Sequence, residues 1–131
     1  MAMSLIFTCD QCGFSLEAWD DGNPYILNSK DERVYFYHPG GEEDMEAVVA
    51  ELLGPIYTDE ARAEILSTRT GNASDHICLK CAKQFKHDSK RDKPGCPHCG
   101  HHKIKELFLM GEQPCPKCPG SFSKIQSGAI S

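Results

Sequence analysis

The chain has 131 residues, a quarter of them charged, with a formal net charge of −5 and eight cysteines. That length suits one compact domain or two very small ones and excludes a large multidomain enzyme. Its longest apolar runs, Ala47-Val48-Val49-Ala50 and Leu107-Phe108-Leu109-Met110, fall far short of the roughly 20 residues that cross a bilayer. The first residues show no basic stretch followed by a long apolar core, so a cytoplasmic protein without a membrane partner is expected.

In chain order, residues 5–9 and 13–17 read as two strands around a turn carrying Cys9 and Cys12. Residues 20–24 are dense in Asp, Gly, Asn and Pro and predict a surface loop. Residues 33–38 are rich in β-formers and predict a strand ended by Pro39-Gly40-Gly41. A helix should follow. Glu42, Glu43 and Asp44 crowd its first turn, where negative charge is favoured. Met45, Val48, Val49, Leu52 and Leu53 repeat on one face, and Gly54-Pro55 stops it. Thr58 caps a second helix with Ala61, Ile65 and Leu66 on its inner side. The helical face is expected to cover a core rather than to form a partner groove, and Phe7, Phe14, Trp19, Tyr35 and Tyr37 to be core or strand-surface residues. Residues 68–75 are polar and read as a linker or exposed loop. Residues 103–110 begin with period-two alternation and should pair with a strand near residues 84–86. No internal repeat is expected beyond the cysteine turns.

All eight cysteines fall into C-x-x-C pairs: Cys9/Cys12, Cys78/Cys81, Cys96/Cys99 and Cys115/Cys118. Such a pair places two thiolates on one tight turn, and two turns complete a tetrahedral shell, so four pairs predict two four-cysteine metal sites. A disulfide framework is the competing reading, disfavoured in a reducing compartment. Zn2+ suits four thiolates without redox demands, with iron as the minority alternative. Gly13 and Gly100 follow the second cysteine of their pairs, where a left-handed backbone is easiest for glycine. Pro119 cannot adopt that conformation, so the Cys115/Cys118 turn should be the least regular. Two pairings remain open: Cys78, Cys81, Cys96 and Cys99 with Cys9, Cys12, Cys115 and Cys118, or Cys9/Cys12 with Cys78/Cys81 and Cys96/Cys99 with Cys115/Cys118. Closing the longer loop costs only about 1.5 kcal/mol more, small beside metal binding on the order of 10 kcal/mol.

Residues 76–110, reading C-x2-C-x14-C-x2-C with a Cys96-Pro97-His98-Cys99-Gly100 core, resemble the zinc-ribbon superfamily, apart from Ala82 where ribbons carry glycine. The resemblance implies β-hairpins around the metal and favours the first pairing. The expected fold is therefore a small α+β protein: zinc-ribbon hairpins, two four-cysteine zinc sites and a two-helix insertion. Its expected parts are an acidic region 1–75, with a zinc turn, a β-hairpin and two helices, and a basic ribbon region 76–131 whose C-terminal zinc turn docks on the N-terminus.

Residues 1–75 hold four basic against fifteen acidic groups, and residues 76–131 ten against four, giving −11 and +6. Lys80, Lys83, Lys86, Lys90, Arg91 and Lys93 are candidate phosphate contacts, or else a solvated face. His76, His87, His98, His101 and His102 lie near the ribbon and His38 apart, but eight cysteines already fill two shells. Catalytic zinc keeps an open position, and no H-E-x-x-H, phosphate loop or nucleophile signature is present. The expectation is a non-catalytic zinc-binding adaptor for a protein or nucleic-acid partner, with no small-molecule substrate. A rubredoxin-like electron carrier is the alternative, and a C-x-x-C thiol oxidoreductase a weaker one.

Overall fold

The alternation around the first cysteine pair is realised as a hairpin. In the computed structural model, which describes residues 3–37 and 40–130, β1 (Met3–Thr8) pairs antiparallel with β2 (Ser15–Trp19) across the Cys9/Cys12 turn. The chain is a small α+β protein with antiparallel sheets and two helices. It divides into two units: residues 23–73, and residues 3–22 together with 74–130. The division therefore does not follow the acidic and basic halves of the sequence. The N-terminal hairpin belongs with the C-terminal residues, because its cysteines share a cluster with the last pair.

The unit formed by residues 23–73 carries a sheet with strand order β4-β3-β5, in which β3 is Asn23–Leu27, β4 is Arg33–Tyr35 and β5 is Thr70–Cys78. The loop expected over residues 20–24 is shorter than expected. It turns at residues 20–22, and Asn23 and Pro24 already belong to β3. The strand expected over residues 33–38 runs only to Tyr35, and its expected end at His38 and Pro39 lies outside the described residues. α1 (Gly41–Leu53) begins with the acidic turn, and α2 (Asp59–Arg69) is capped by Thr58, whose hydroxyl accepts the Ala61 N–H at 3.1 Å. Ile26, Val48 and Val49 are buried together, with Met45, Leu52, Leu53, Ile65 and Leu66 packed around them. Each fully buried aliphatic side chain contributes on the order of 1.5–3 kcal/mol, so the periodic face of α1 is what fastens the helices to the sheet.

The linker expected over residues 68–75 is instead the end of α2 and the start of β5. This stretch is polar because its strand pairing is supported by side-chain amides. Asn72 Oδ1 accepts the Asn23 N–H at 3.0 Å, and Asn23 Nδ2 donates to the Ala73 carbonyl at 2.8 Å. Ala73 is fully buried between these groups.

The second unit contains two three-stranded modules of one design. The outer module, made from the two ends of the chain, has strand order β2-β1-β8, with β8 spanning Lys124–Ile130. The inner module has the second half of β5 between β6 (Gln84–His87) and β7 (Ile104–Glu106). The register repeats. Thr8 pairs with Ser15 and Lys124, and Ile77 pairs with Gln84 and Lys105. Ser15 and Gln84 each stand six residues beyond the first cysteine of their hairpin. Lys124 and Lys105 each stand nine beyond Cys115 and Cys96. A whole cysteine-turn module, strands included, is thus duplicated, whereas the repeat was expected to stop at the turns. Two strand assignments change with it. β7 pairs with β5 rather than with residues 84–86, because β5 is the central strand. Leu107–Leu109 leaves the strand as a short 3-10 turn. That turn places Leu107 in a core with Phe7, Leu16, Ile77, Met110 and Phe122.

Candidate metal centres

The sulfurs gather into two groups, Cys9/Cys12/Cys115/Cys118 and Cys78/Cys81/Cys96/Cys99, with the ligand atoms of each group within 4.8 Å of one another. Each module therefore owns one centre. The outer centre joins the ends of the chain, the first of the two pairings left open by spacing.

The four turns share a local construction. The first cysteine's N–H donates to the carbonyl five residues on: Cys9 to Phe14 at 2.8 Å, Cys78 to Lys83 at 3.0 Å, Cys96 to His101 at 2.8 Å and Cys115 to Gly120 at 2.9 Å. Within each turn a backbone N–H points at the first sulfur, from Gln11, Lys80, His98 and Lys117, at 3.3–3.5 Å. Such bonds stabilise negative charge on sulfur. The residue after the second cysteine is left-handed in three turns, with φ of 77° at Gly13, 63° at Ala82 and 78° at Gly100. Ala82 thus accepts the conformation that glycine adopts more cheaply. The Cys115 turn departs where Pro119 stands: it keeps the closing hydrogen bond, and the Gly120 N–H donates to Cys118 Sγ at 3.3 Å.

Sulfur spacing tests the fit to an ion. A tetrahedral thiolate centre with bonds of about 2.3 Å places its sulfurs about 3.8 Å apart. The cross-turn distances are 3.4 Å for Cys9–Cys118, 3.8 Å for Cys12–Cys115, 3.5 Å for Cys78–Cys99 and 3.7 Å for Cys81–Cys96. These are far beyond a disulfide bond of about 2.05 Å, and all eight cysteines are free.

The charge balance points the same way. N–H donation from Cys12 leads the effects that draw Cys9 down to about 6, against burial. Burial resists ionisation of Cys78, yet the Cys81 and Lys80 N–H groups and neighbouring thiols bring it to about 6. Their partners move the other way. The His101 N–H favours the Cys99 thiolate, but desolvation and the adjoining sulfurs push that thiol up to about 11. Cys118, despite the Gly120 N–H, is pushed up to about 12 in the same way. Four crowded sulfurs hold four negative charges only when a cation shares them. Both groups can hold a metal ion, and with four sulfur donors each shell is closed.

A support around the outer centre lay outside the sequence reading. Asp10 accepts the Ser121 N–H at 3.2 Å and the Ser121 and Ser123 hydroxyls at 3.4 and 3.0 Å, while the Asp10 N–H donates to the Ser121 carbonyl at 2.9 Å. These bonds tie the first cysteine turn to the last across most of the chain's length. Gly120 lies at the junction, where a Cβ would stand 2.9 Å from Cys9 Sγ and 2.7 Å from Asp10 Oδ1. An acidic residue beside a cysteine, with two serines after the last pair, is too common a pattern to have flagged this lock.

The six basic candidates, Lys80, Lys83, Lys86, Lys90, Arg91 and Lys93, are all exposed on the inner module. Lys86 stands opposite Asp75 in the β5–β6 register. His98 is exposed, whereas His87 is 8% exposed and packs against His76 with ring centroids 5.0 Å apart. His101 and His102 stack on one another, and His101 Nδ1 accepts the Lys103 N–H at 3.1 Å. Of the aromatic residues expected in the core or on strand surfaces, Phe7 is buried, Phe14, Trp19 and Tyr35 are half-buried, and Tyr37 is exposed. No helix among the described residues is long and apolar enough to cross a membrane. No protein-family model, curated protein or solved structure matches this chain.

Proposed function

We propose that the chain is a non-catalytic zinc protein: two zinc ribbons, one nested in the other, with a two-helix insertion. In this reading it works as a cytoplasmic adaptor for a protein or nucleic-acid partner. The observation that carries the reading is that every cysteine belongs to one of two four-sulfur groups. Zinc is favoured because it takes four thiolates tetrahedrally and asks for no redox partner, and a shell closed by four protein ligands leaves no position for a reacting water. The repeated strand–turn–strand and turn–strand plan supports ribbons.

The N–H bonds to sulfur would serve iron equally well and so support the electron-carrier alternative. A dithiol oxidoreductase is disfavoured, since both sulfurs of each pair are committed to a cluster. Elemental analysis of purified native protein tests the three readings together. Two equivalents of zinc per chain, colourless and redox-silent, are expected. A red, iron-containing sample would make it an electron carrier. Metal-free protein with freely titrating thiols would overturn the metal reading altogether.

A further inference from the structure

The duplicated register allows the two modules to be compared position by position. Phe7 and Leu16 stand two residues before and seven after Cys9, and Ala18 nine after. His76, Phe85 and His87 hold those places around Cys78. In the outer module this sheet face is core, with Phe7, Leu16 and Ala18 each no more than 2% exposed. In the inner module the core is reached from the opposite face, through fully buried Ile77. The aromatic face keeps His76 and Phe85 half-buried, and a fourth ring, exposed His98, joins it. Phe85 is the hub: ring centroids lie 6.1 Å away at His76, 6.2 Å at His87 and 6.4 Å at His98.

Charge separates the modules as well. Residues 74–106 hold eight basic against four acidic groups, whereas the rest of that unit holds two against five. A filled four-thiolate centre with a divalent ion adds −2, which leaves the inner module about +2. The loop leaving β6 carries exposed Lys90, Arg91 and Lys93 before the chain returns to the Cys96 turn, where His98 stands. The large exposed apolar side chains, Met3, Tyr37, Ile56, Leu109 and Ile125, all lie outside residues 74–106. The inner module thus offers rings and cations without the aliphatic patch that a protein partner would bury.

We propose that this face of the inner module binds single-stranded nucleic acid, with bases stacking on Phe85 and His98 and phosphates held by Lys90, Arg91 and Lys93. A single strand fits because only unstacked bases can lie on side-chain rings, and such stacking tolerates any sequence. Glu106, paired with His76 on the same face, opposes it, as do Asp88 and Asp92 within the loop that carries the three basic residues. The inference rests on the metal-held platform proposed above, since the Cys96 turn positions His98.

The test is fluorescence anisotropy on full-length, metal-loaded protein with labelled oligo(U), oligo(dT) and a DNA duplex of equal length, across a salt series, with metal content measured on the same samples. Binding of either single strand in preference to the duplex is expected. Phe85→Ala and, separately, His98→Ala should weaken it by about 5- to 100-fold without changing the salt slope. Replacing Lys90, Arg91 and Lys93 together by Ala should make the log–log salt slope shallower by about 2, and Glu106→Gln should tighten binding. His98 is exposed, so that variant retains its fold should Phe85→Ala not. No single-strand binding at low salt with both metals in place would overturn the inference alone, as would equal duplex binding or ring variants that bind like wild type. Binding by protein that carries no metal would overturn the platform reading instead.

Discussion

The outer and inner modules share strands, register and cysteine turns, yet they carry opposite chemistry at equivalent positions. Phe7, Leu16 and Ala18 in one are His76, Phe85 and His87 in the other, and Asp10 is replaced by Leu79. Phe14, over whose ring the Lys117 ammonium sits at 4.1 Å, corresponds to Lys83, and Lys117 itself to His98. What the two modules keep in common is what metal ligation demands: the cysteine spacing, the closing hydrogen bond and the N–H groups at sulfur. A scaffold held at its cysteine turns leaves this strand face free to be core in one copy and, in the other, a partly open face with His87 buried and His76 and Phe85 half-buried. A four-sulfur group able to hold a metal suits a unit too small to depend on its apolar interior alone.

Ligand removal is the most severe way to break the comparison. Metal binding worth on the order of 10 kcal/mol is comparable with the entire stability of a small domain, about 5–15 kcal/mol. Cys96→Ser should therefore unfold the inner module. Because Ile77 and Leu107 share a core with Phe7 and Leu16, the outer module should lose much of its stability too. Cys9→Ser should release the chain ends in the same manner. Metal content per chain and a thermal melt check both: a drop from two equivalents to one or none, with the cooperative transition weakened or lost. An unchanged melt for Cys96→Ser would mean that apolar packing, not sulfur ligation, holds the fold. Exhaustive chelation should have the same effect as the two substitutions combined, and acidification should reproduce it, because protons compete with the metal for every thiolate.

The next test concerns the junction peculiar to the outer module. Gly120→Ala would drive a methyl group against Cys9 Sγ and Asp10 Oδ1, at 2.9 and 2.7 Å. Relief requires moving a ligand, so a loss of about 1–3 kcal/mol is expected, together with faster metal loss from that centre to a competing chelator. The equivalent place in the inner module is His101, five residues beyond Cys96 as Gly120 is beyond Cys115. His101→Ala should leave metal retention unchanged. Equal behaviour of the two variants would show that the duplication extends to the junction.

Several of these features were legible in the sequence and others were not, for reasons that differ by element. Cysteine spacing announced four tight cysteine turns, and the periodic face from Met45 to Leu53 announced α1, because both signals are local. The pairing of the turns was open, since loop closure separates the alternatives by only about 1.5 kcal/mol. β5 was hidden because Thr70-Gly71-Asn72 reads as a breaker, and its partners, Asn23 among them, are distant in sequence. β8 was hidden because Lys124, Gln126, Ser127 and Gly128 dilute any alternation on an edge strand. The duplication itself was hidden because, beyond the cysteines, only Pro97/Pro116 and Lys105/Lys124 repeat as letters, and register has no signature in a single sequence. His76, His87 and His98 were expected near the ribbon, but their gathering around Phe85 joins three separate segments and has no local signal.

A smaller effect is expected at Asp10. Its carboxyl is held below the ordinary carboxylate range by the Ser121 N–H first, then by the Ser123 hydroxyl, against desolvation. A lowered folded value means the contribution is full above the unfolded pKa of about 3.9 and is lost only as pH falls through the lower folded one. At neutral pH, Asp10→Ala should therefore lower the melting temperature modestly, by a deficit that stays constant down to the pH at which the protonated thiolates release the metal. Leu79→Ala at the equivalent position removes a half-buried apolar side chain instead, so its deficit should come from lost packing and leave the pH of metal release unchanged.

The mildest substitution separates the modules at a single backbone angle. Ala82 has φ of 63° where Gly13 and Gly100 have 77° and 78°. A side chain in that region costs about 1–2 kcal/mol, while glycine loses about 0.5–1 kcal/mol through the greater freedom of its unfolded chain. Ala82→Gly should accordingly stabilise the protein by about 0.5–1 kcal/mol, read as a higher denaturant midpoint at fixed metal concentration. A Cβ at Gly13 or Gly100 would meet nothing within 4 Å, so Gly13→Ala and Gly100→Ala impose the backbone cost without a clash and should lower the midpoint by a similar amount. If Ala82→Gly left the midpoint where it was while Gly100→Ala lowered it, the first inner turn would have to relax in a way that the second does not. The conformational demand would then belong to individual turns rather than to the repeated metal-binding plan.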